Sequence, residues 1–333
     1  VSFQAINIPP DQPDWFSFPD SFGQRYIVTV DTEEDFDWDK PLSRDGYGLD
    51  SLDRLDKFQQ FCEGQNVSPI YLVDYPVITN APAAERLKSF VDAGKAAVGA
   101  QLHAWVSPPF DEETSNFNSY AGNLPKDIER AKLLTLVAKI EKTLGTAPII
   151  YRAGRYGTGP NTAAILREAG ILMDSSVRSK FNYSAYEGPD YTYHPVKPYW
   201  LDTQRQLLEL PLTTMFWGLF RHQGNLIFPR LSRRPTLRSI LARTNMLERI
   251  ALTPEGITVD EAIRAIDMAI DEELPLLNFS FHSPSLQPGH TPYVRNKGDL
   301  DRLYDWWRRV FAYCELRNFK PATLEDIKQS AFI

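Results

Sequence analysis

The sequence predicts an α/β protein with parallel strands, read as a (β/α) barrel, and two patterns predict it. Short apolar runs alternate with helical stretches in the order β, α, β, α, β, α, β, α, β between residues 26 and 174, with connections suited to parallel neighbours. The second pattern is where the polar residues fall. Nearly every run stops at a chemically capable side chain: Asp31 and Glu33, Asp74, Gln101 and His103, Arg152 and Arg155, Asp174, and His282. In an α/β barrel such positions converge on one mouth, where active sites sit.

Residues 1–25, with Pro9, Pro10, Pro13, Trp15 and Phe16 and no periodicity, predict an extended arm lying over the body. Residues 26–333 then form a single domain with an irregular insertion around 180–260. Tyr26–Val30 is β-branched or aromatic throughout, as in a strand buried on both faces. It ends in five carboxylates, Asp31, Glu33, Glu34, Asp35 and Asp37. Asp31 and Glu33, two apart, share one side of a continuing strand and read as functional. Glu34 and Asp37 read as solvated loop acids.

Asp50 or Ser51 can cap a helix to Glu63, with Leu52, Leu55, Phe58 and Cys62 on one face. Ser68–Val73 is the second strand, and Ala83–Ala93 the next helix, stopped by Gly94. Ala96–Leu102 is the third strand. Pro125 and Gly145 bracket a long helix. Pro148–Tyr151 is the fourth strand, Pro160–Ala169 a helix, and Ile171–Met173 a short fifth strand. The middle is irregular: residues 182–200 are rich in tyrosine and proline, Leu207–Pro211 is a strand, and a basic helix lies near Pro235–Leu247. Thr258 caps a helix to Glu273, Leu276–Phe281 is a strand, Gly298–Arg317 a helix, and Lys320–Thr323 a last strand.

With 43% apolar and 24% charged residues in 333, the chain is of globular type. A net charge of −7 argues against a nucleic-acid partner. Arg230, Arg233 and Arg234 read as a solvated, helix-flanking patch. Cys62 and Cys314 sit in helical patterns as core residues, not as a disulfide or zinc framework. No signal peptide is visible from Val1 onward and no apolar run approaches bilayer length, so a cytoplasmic location and no membrane span are expected.

Five histidines can each be weighed. His282 follows a strongly apolar strand and is the best acid or base near neutrality. His103 is equally readable as structural. His290 is a loop residue within reach of the mouth, and His194 and His222 suit packing or surface roles. Carboxylates and imidazole around a divalent ion make hydrolytic sites. Glu33 or Asp31 with His103 could form such a set, and Asp74 or Asp35 could add a third ligand. Four residues after His103 stands Ser107, not a second imidazole.

The order and spacing of these strand ends resemble the polysaccharide deacetylases with a NodB homology domain (carbohydrate esterase family 4). Tyr71-Leu-Val-Asp-Tyr-Pro-Val, Gln101-Leu-His-Ala-Trp and His282-Ser-Pro-Ser-Leu look most like its WalW-type members. The resemblance implies a distorted, TIM-like (β/α) barrel of seven or eight strands. It implies Asp31 as catalytic base, Arg152 as the group holding it ionised, and His282 as the acid, oriented by Asp174. It implies a divalent metal, zinc by ligand type, on Glu33 and His103. Gln101 stands where that family places a metal histidine. Asp74, Gln101, Trp105, Arg155 and Tyr156 are the expected substrate contacts.

The activity implied is removal of an N-acyl group from an amino sugar, with a carbohydrate or small amide as partner. Two alternatives stand beside it: a metal-independent hydrolase of another C–N bond, such as a cyclic amide, and a carbohydrate-binding pseudoenzyme. Trp105, Tyr156, Trp200 and Trp217 suit stacking on sugar rings and suit core packing equally.

Overall fold

The computed structural model describes residues 3–36, 40–231 and 234–332. Asp37 and Arg233 lie outside these residues. In chain order the strands are β1 (Asp14–Trp15), β2 (Arg25–Thr32), β3 (Ile70–Val73), β4 (Ala97–Leu102), β5 (Ile150–Ala153), β6 (Met173–Asp174), β7 (Tyr199–Trp200), β8 (Leu208–Glu209), β9 (Thr214–Trp217), β10 (Glu248–Ala251), β11 (Leu276–His282) and β12 (Lys320–Pro321). The main sheet runs β1-β7-β8-β6-β5-β4-β3-β2-β11, with β12 also on β2. Every pair from β11 to β8 is parallel, and only β7 and β1 run antiparallel at the far edge.

The sheet curls into a barrel that its two ends do not close by a ladder. Short bonds span the gap: Leu212 N to Val177 O at 2.9 Å, Thr213 N to Asn278 O at 3.3 Å, Leu252 N to Thr213 O at 3.0 Å, and Ser280 N to Leu252 O at 3.2 Å. Segments flanking β9 and β10 thus act as the missing staves. The insertion between those two strands carries helices Gly224–Leu231 and Pro235–Arg243.

Period-two alternation layers the interior. Ile27, Ile70, Leu72, Ile150, Met173, Leu208 and Leu276 pack together as an apolar floor. Gly99 belongs to this layer: a Cβ there would meet Leu72 Cδ2 and Ile150 Cγ2, each at 2.6 Å. Two residues further along their strands stand Thr29, Arg152 and Asn278, all buried. Two further still come Asp31 and Ser280. The intervening residues Tyr26, Val28, Val30, Tyr71 and Phe279 face outward onto the helices, against Phe58, Trp307 and Phe311 among others.

Local signals set the helix ends. Asn80 accepts from Ala83 N, and Thr258 and Thr323 form capping boxes with Glu261 and Asp326. Gly145 ends Lys126–Leu144 at φ +79°. The short helix Tyr75–Thr79, capped by Asp74, is absent from the sequence reading. In the N-terminal segment, Phe16 and Phe22 join the floor cluster. Cys62 and Cys314 are buried free thiols. No helix among the described residues is long and apolar enough to cross a membrane.

Candidate active site

The polar layer above the floor is organised by Arg152, whose side chain is fully buried. All five guanidinium donors have an acceptor. Nη1 donates to Asp31 Oδ1 and, at 3.3 Å, to Ser280 Oγ; Nη2 donates to Thr29 Oγ1 at 2.8 Å and Ser175 Oγ at 3.0 Å; Nε donates to Ser175 O at 2.9 Å. A guanidinium so satisfied fixes the Asp31 carboxylate and matches its charge.

β2 and β11 pair in parallel with Asp31 opposite His282. Asp31 Oδ2 and His282 Nε2 stand 3.6 Å apart. The other imidazole nitrogen, Nδ1, bonds Glu255 Oε2 at 2.7 Å, and the His282 backbone N donates to Glu255 Oε1 at 3.2 Å. Burial alone would lower the His282 pKa, but Glu255, and then Glu33 and Asp31, push it up to about 10. In return, His282 outweighs the burial of Glu255 and holds that carboxyl below its usual range.

Asp174 does not orient His282. Its β6 neighbour Met173 points into the floor, so Asp174 faces the other way. There it accepts from Ser176 Oγ at 2.6 Å and stands opposite Glu209 in the ladder. Burial and the Asp174 charge hold Glu209 well above the carboxylate range, and burial raises Asp174 as well. The carboxylate behind the imidazole is Glu255, which the sequence reading missed. Its signal was of the usual kind: Ile250-Ala-Leu followed by Thr-Pro-Glu is another apolar run ending in an acid.

Glu34 is fully buried rather than solvated. It accepts from Trp105 Nε1 at 2.9 Å and pairs with His103 Nδ1 at 2.8 Å, while its backbone N donates to Asp74 Oδ2 at 3.0 Å. Against its own burial, His103 is held well above its ordinary pKa by Glu34 and Glu33. Burial and the Glu34 charge push Asp74 well up, while His103 outweighs burial to keep Glu34 low. Asp74 also caps its helix through Val77 N at 2.8 Å. It does not line the cavity, so the substrate contact expected of it is not seen.

The cavity itself measures about 880 Å³ and has Asp31, Glu33, His103, Glu255 and His282 in its wall. Gln101, Trp105, Arg155 and Tyr156 line it too. Arg155 and Tyr156 both adopt left-handed φ, at +55° and +61°. Such backbone costs about 1–3 kcal/mol per residue and turns both side chains to the cavity. Trp200 lies in the floor cluster, and Trp217 packs under Arg264, 4.2 Å from ring centroid to guanidinium. His290 Nδ1 reaches Asp35 Oδ2 at 3.4 Å, and His194 Nε2 bonds Ile6 O at 2.9 Å.

A Mycobacterium smegmatis protein assigned to the polysaccharide deacetylases shares this architecture, with a TM-score of 0.53 at 17% identity over 97% of this chain and 94% of its own. The fold is that of the polysaccharide deacetylases. Puue allantoinase also shares it, with a TM-score of 0.51 at 14% identity over 96% of this chain and 94% of its own. No protein-family model matches the sequence, and no curated protein does. Neither structural likeness bears on the WalW-type subgroup.

On this deacetylase fold, two faces of His103 bear on a metal. Ligand atoms of Glu34, Asp74 and His103 lie within 4.8 Å of one another, a spacing that can hold an ion. Glu34 and Asp74 are sealed from the cavity, so an ion there would be of the closed, structural kind. On the cavity side, His103 Nε2 lies 3.4 Å from Glu33 Oε2. Glu33 Oε1 and Gln101 Oε1 are both buried without a hydrogen-bond partner. The orphaned oxygen of Glu33, on a carboxylate beside an imidazole nitrogen, fits a divalent cation open to substrate.

Proposed function

We propose that the protein is a hydrolase that removes an N-acyl group from an amine, with an amino sugar as the leading substrate class. The observation carrying this reading is the 3.6 Å approach of Asp31 and His282 in the cavity wall, each backed by a group of opposite charge. Asp31 takes a proton from the attacking water as its oxygen bonds the carbonyl carbon. Arg152 keeps the carboxylate aimed while this happens. His282, protonated at neutral pH, gives its Nε2 proton to the nitrogen as the C–N bond breaks, releasing acid and free amine. Glu255 holds the imidazole by Nδ1 and stabilises its charge.

Glu33 and His103 would hold a divalent ion. When bound, such an ion polarises the carbonyl and acidifies water. The second reading is a metal-independent hydrolase of another C–N bond. Gln101 in place of an imidazole favours it, as does the shared architecture with an allantoinase.

Acetate release from N-acetylated oligosaccharides tests the proposal. Asp31→Asn and His282→Gln should each lose about two to four orders of magnitude in kcat. Turnover by both variants at the wild-type rate would refute it.

A further inference from the structure

We propose that the substrate carries a carboxylate and that Arg178, in the cavity wall beside the acid–base pair, receives it. This rests on the N-acyl hydrolase reading above and names the class of amide. Three ion pairs lie in or behind the cavity wall: Asp31 with Arg152, Glu255 with His282, Glu34 with His103. Arg178 is left over. It lines the same cavity as Asp31 and His282. Its Nη1 donates to Tyr183 Oη at 3.2 Å, and its guanidinium lies 4.1 Å from the Phe181 ring centroid and 5.2 Å from that of Tyr156.

Arg249 lies 3.5 Å from the same Phe181 ring, its Nη1 donating only to the Lys180 carbonyl. Among the described residues no carboxylate oxygen comes within 4.0 Å of Arg178 or Arg249. Burial, and then the neighbouring Arg178, push Arg249 down to about 9. Two guanidinium groups sharing one ring with no acid between them leave unmet positive potential in a poorly solvated wall. In this cavity His282 and His103 each have a carboxylate from the chain; Arg178 has none, and a ligand must bring it.

Arg155 repeats the pattern on the rim. It donates to Asn116 Oδ1 at 2.9 Å and to Ser119 Oγ, rests 4.2 Å from the Tyr120 centroid, and likewise has no acid partner. A carboxylate matches the planar guanidinium fork with two parallel hydrogen bonds. An acidic amino sugar and an N-acyl amino acid both offer that chemistry.

The full-length protein is offered three probes: an N-acetylglucosamine oligosaccharide, N-acetylmuramic acid, which bears a lactyl carboxylate, and an N-acetyl amino acid. Binding by calorimetry and hydrolysis by acetate release are measured separately. One of the two acids should bind at least about tenfold tighter than the neutral sugar, and which one does identifies the source. That preference should collapse in Arg178→Gln and recover in part in Arg178→Lys, with the change in KM rather than kcat. Equal binding of acidic and neutral probes, or a preference that survives Arg178→Gln, overturns the inference even if acetate is released. Carboxylate-selective binding without release of acetate from any probe supports the anion site and counts against the hydrolase reading instead.

Discussion

Glu255 Oε2 meets His282 Nδ1 at 2.7 Å, and the same carboxylate accepts the His282 backbone N–H through its other oxygen. The imidazole is therefore fixed in orientation, and its charge chiefly favoured, by one residue from the segment after β10. Glu255→Gln removes the charge and keeps the shape. His282 should then fall from about 10 toward its ordinary 6.5. A general acid works only while protonated, so the alkaline limb of the pH–rate profile should move down in pH, with kcat reduced about 10–100-fold near neutrality. The sign for stability follows. A histidine with a raised folded pKa stabilises fully below the unfolded value and loses that contribution as pH rises through the folded one. Wild type should thus outlast the variant in urea at pH 6, and the gap should narrow as pH approaches 10.

Arg152 offers five donors to a buried layer and ion-pairs with Asp31 Oδ1. Arg152→Met should cost about 3–5 kcal/mol, because a buried carboxylate loses its hydrogen-bonded ion-pair partner. Arg152→Lys keeps the charge but cannot reach all these acceptors, and should recover only part. Urea denaturation of the three proteins measures both.

Zinc titration separates the two faces of His103. If the ion sits toward the cavity, Glu33→Gln should weaken binding about tenfold or more while Asp74→Asn leaves it nearly intact. The reverse order would put the ion in the sealed set of Glu34, Asp74 and His103. Calorimetry reads this without any substrate.

Gly99 fills the floor between Leu72 and Ile150 with no room for a methyl group. Gly99→Ala should destabilise by about 1–3 kcal/mol through overpacking, seen as a lower Tm, although the residue touches none of the catalytic groups.

What the sequence made legible was set by strand length and parity. β2 and β11 are apolar runs that stop at Asp31 and His282, so both residues could be placed at the mouth. Arg152 follows an apolar Ile-Ile-Tyr run and was legible for the same reason. β6 is two residues long and offers no parity, so Asp174 could be assigned a side only by likeness, and the assignment failed. Glu34 looked like a loop acid because the two partners that bury it, His103 and Trp105, come from the far end of β4. Glu255 lay in the irregular middle, where its apolar run did not announce a strand.

Under the proposed mechanism, the seam between β8 and β11 divides the catalytic labour along the chain. The group that readies water is anchored in continuous ladder, whereas the group that escorts the departing amine takes its support from a stretch tied in by a few loop bonds. Selection could lengthen, trim or recharge that stretch and so retune which amine is released, while the machinery that prepares the nucleophile stays as it is.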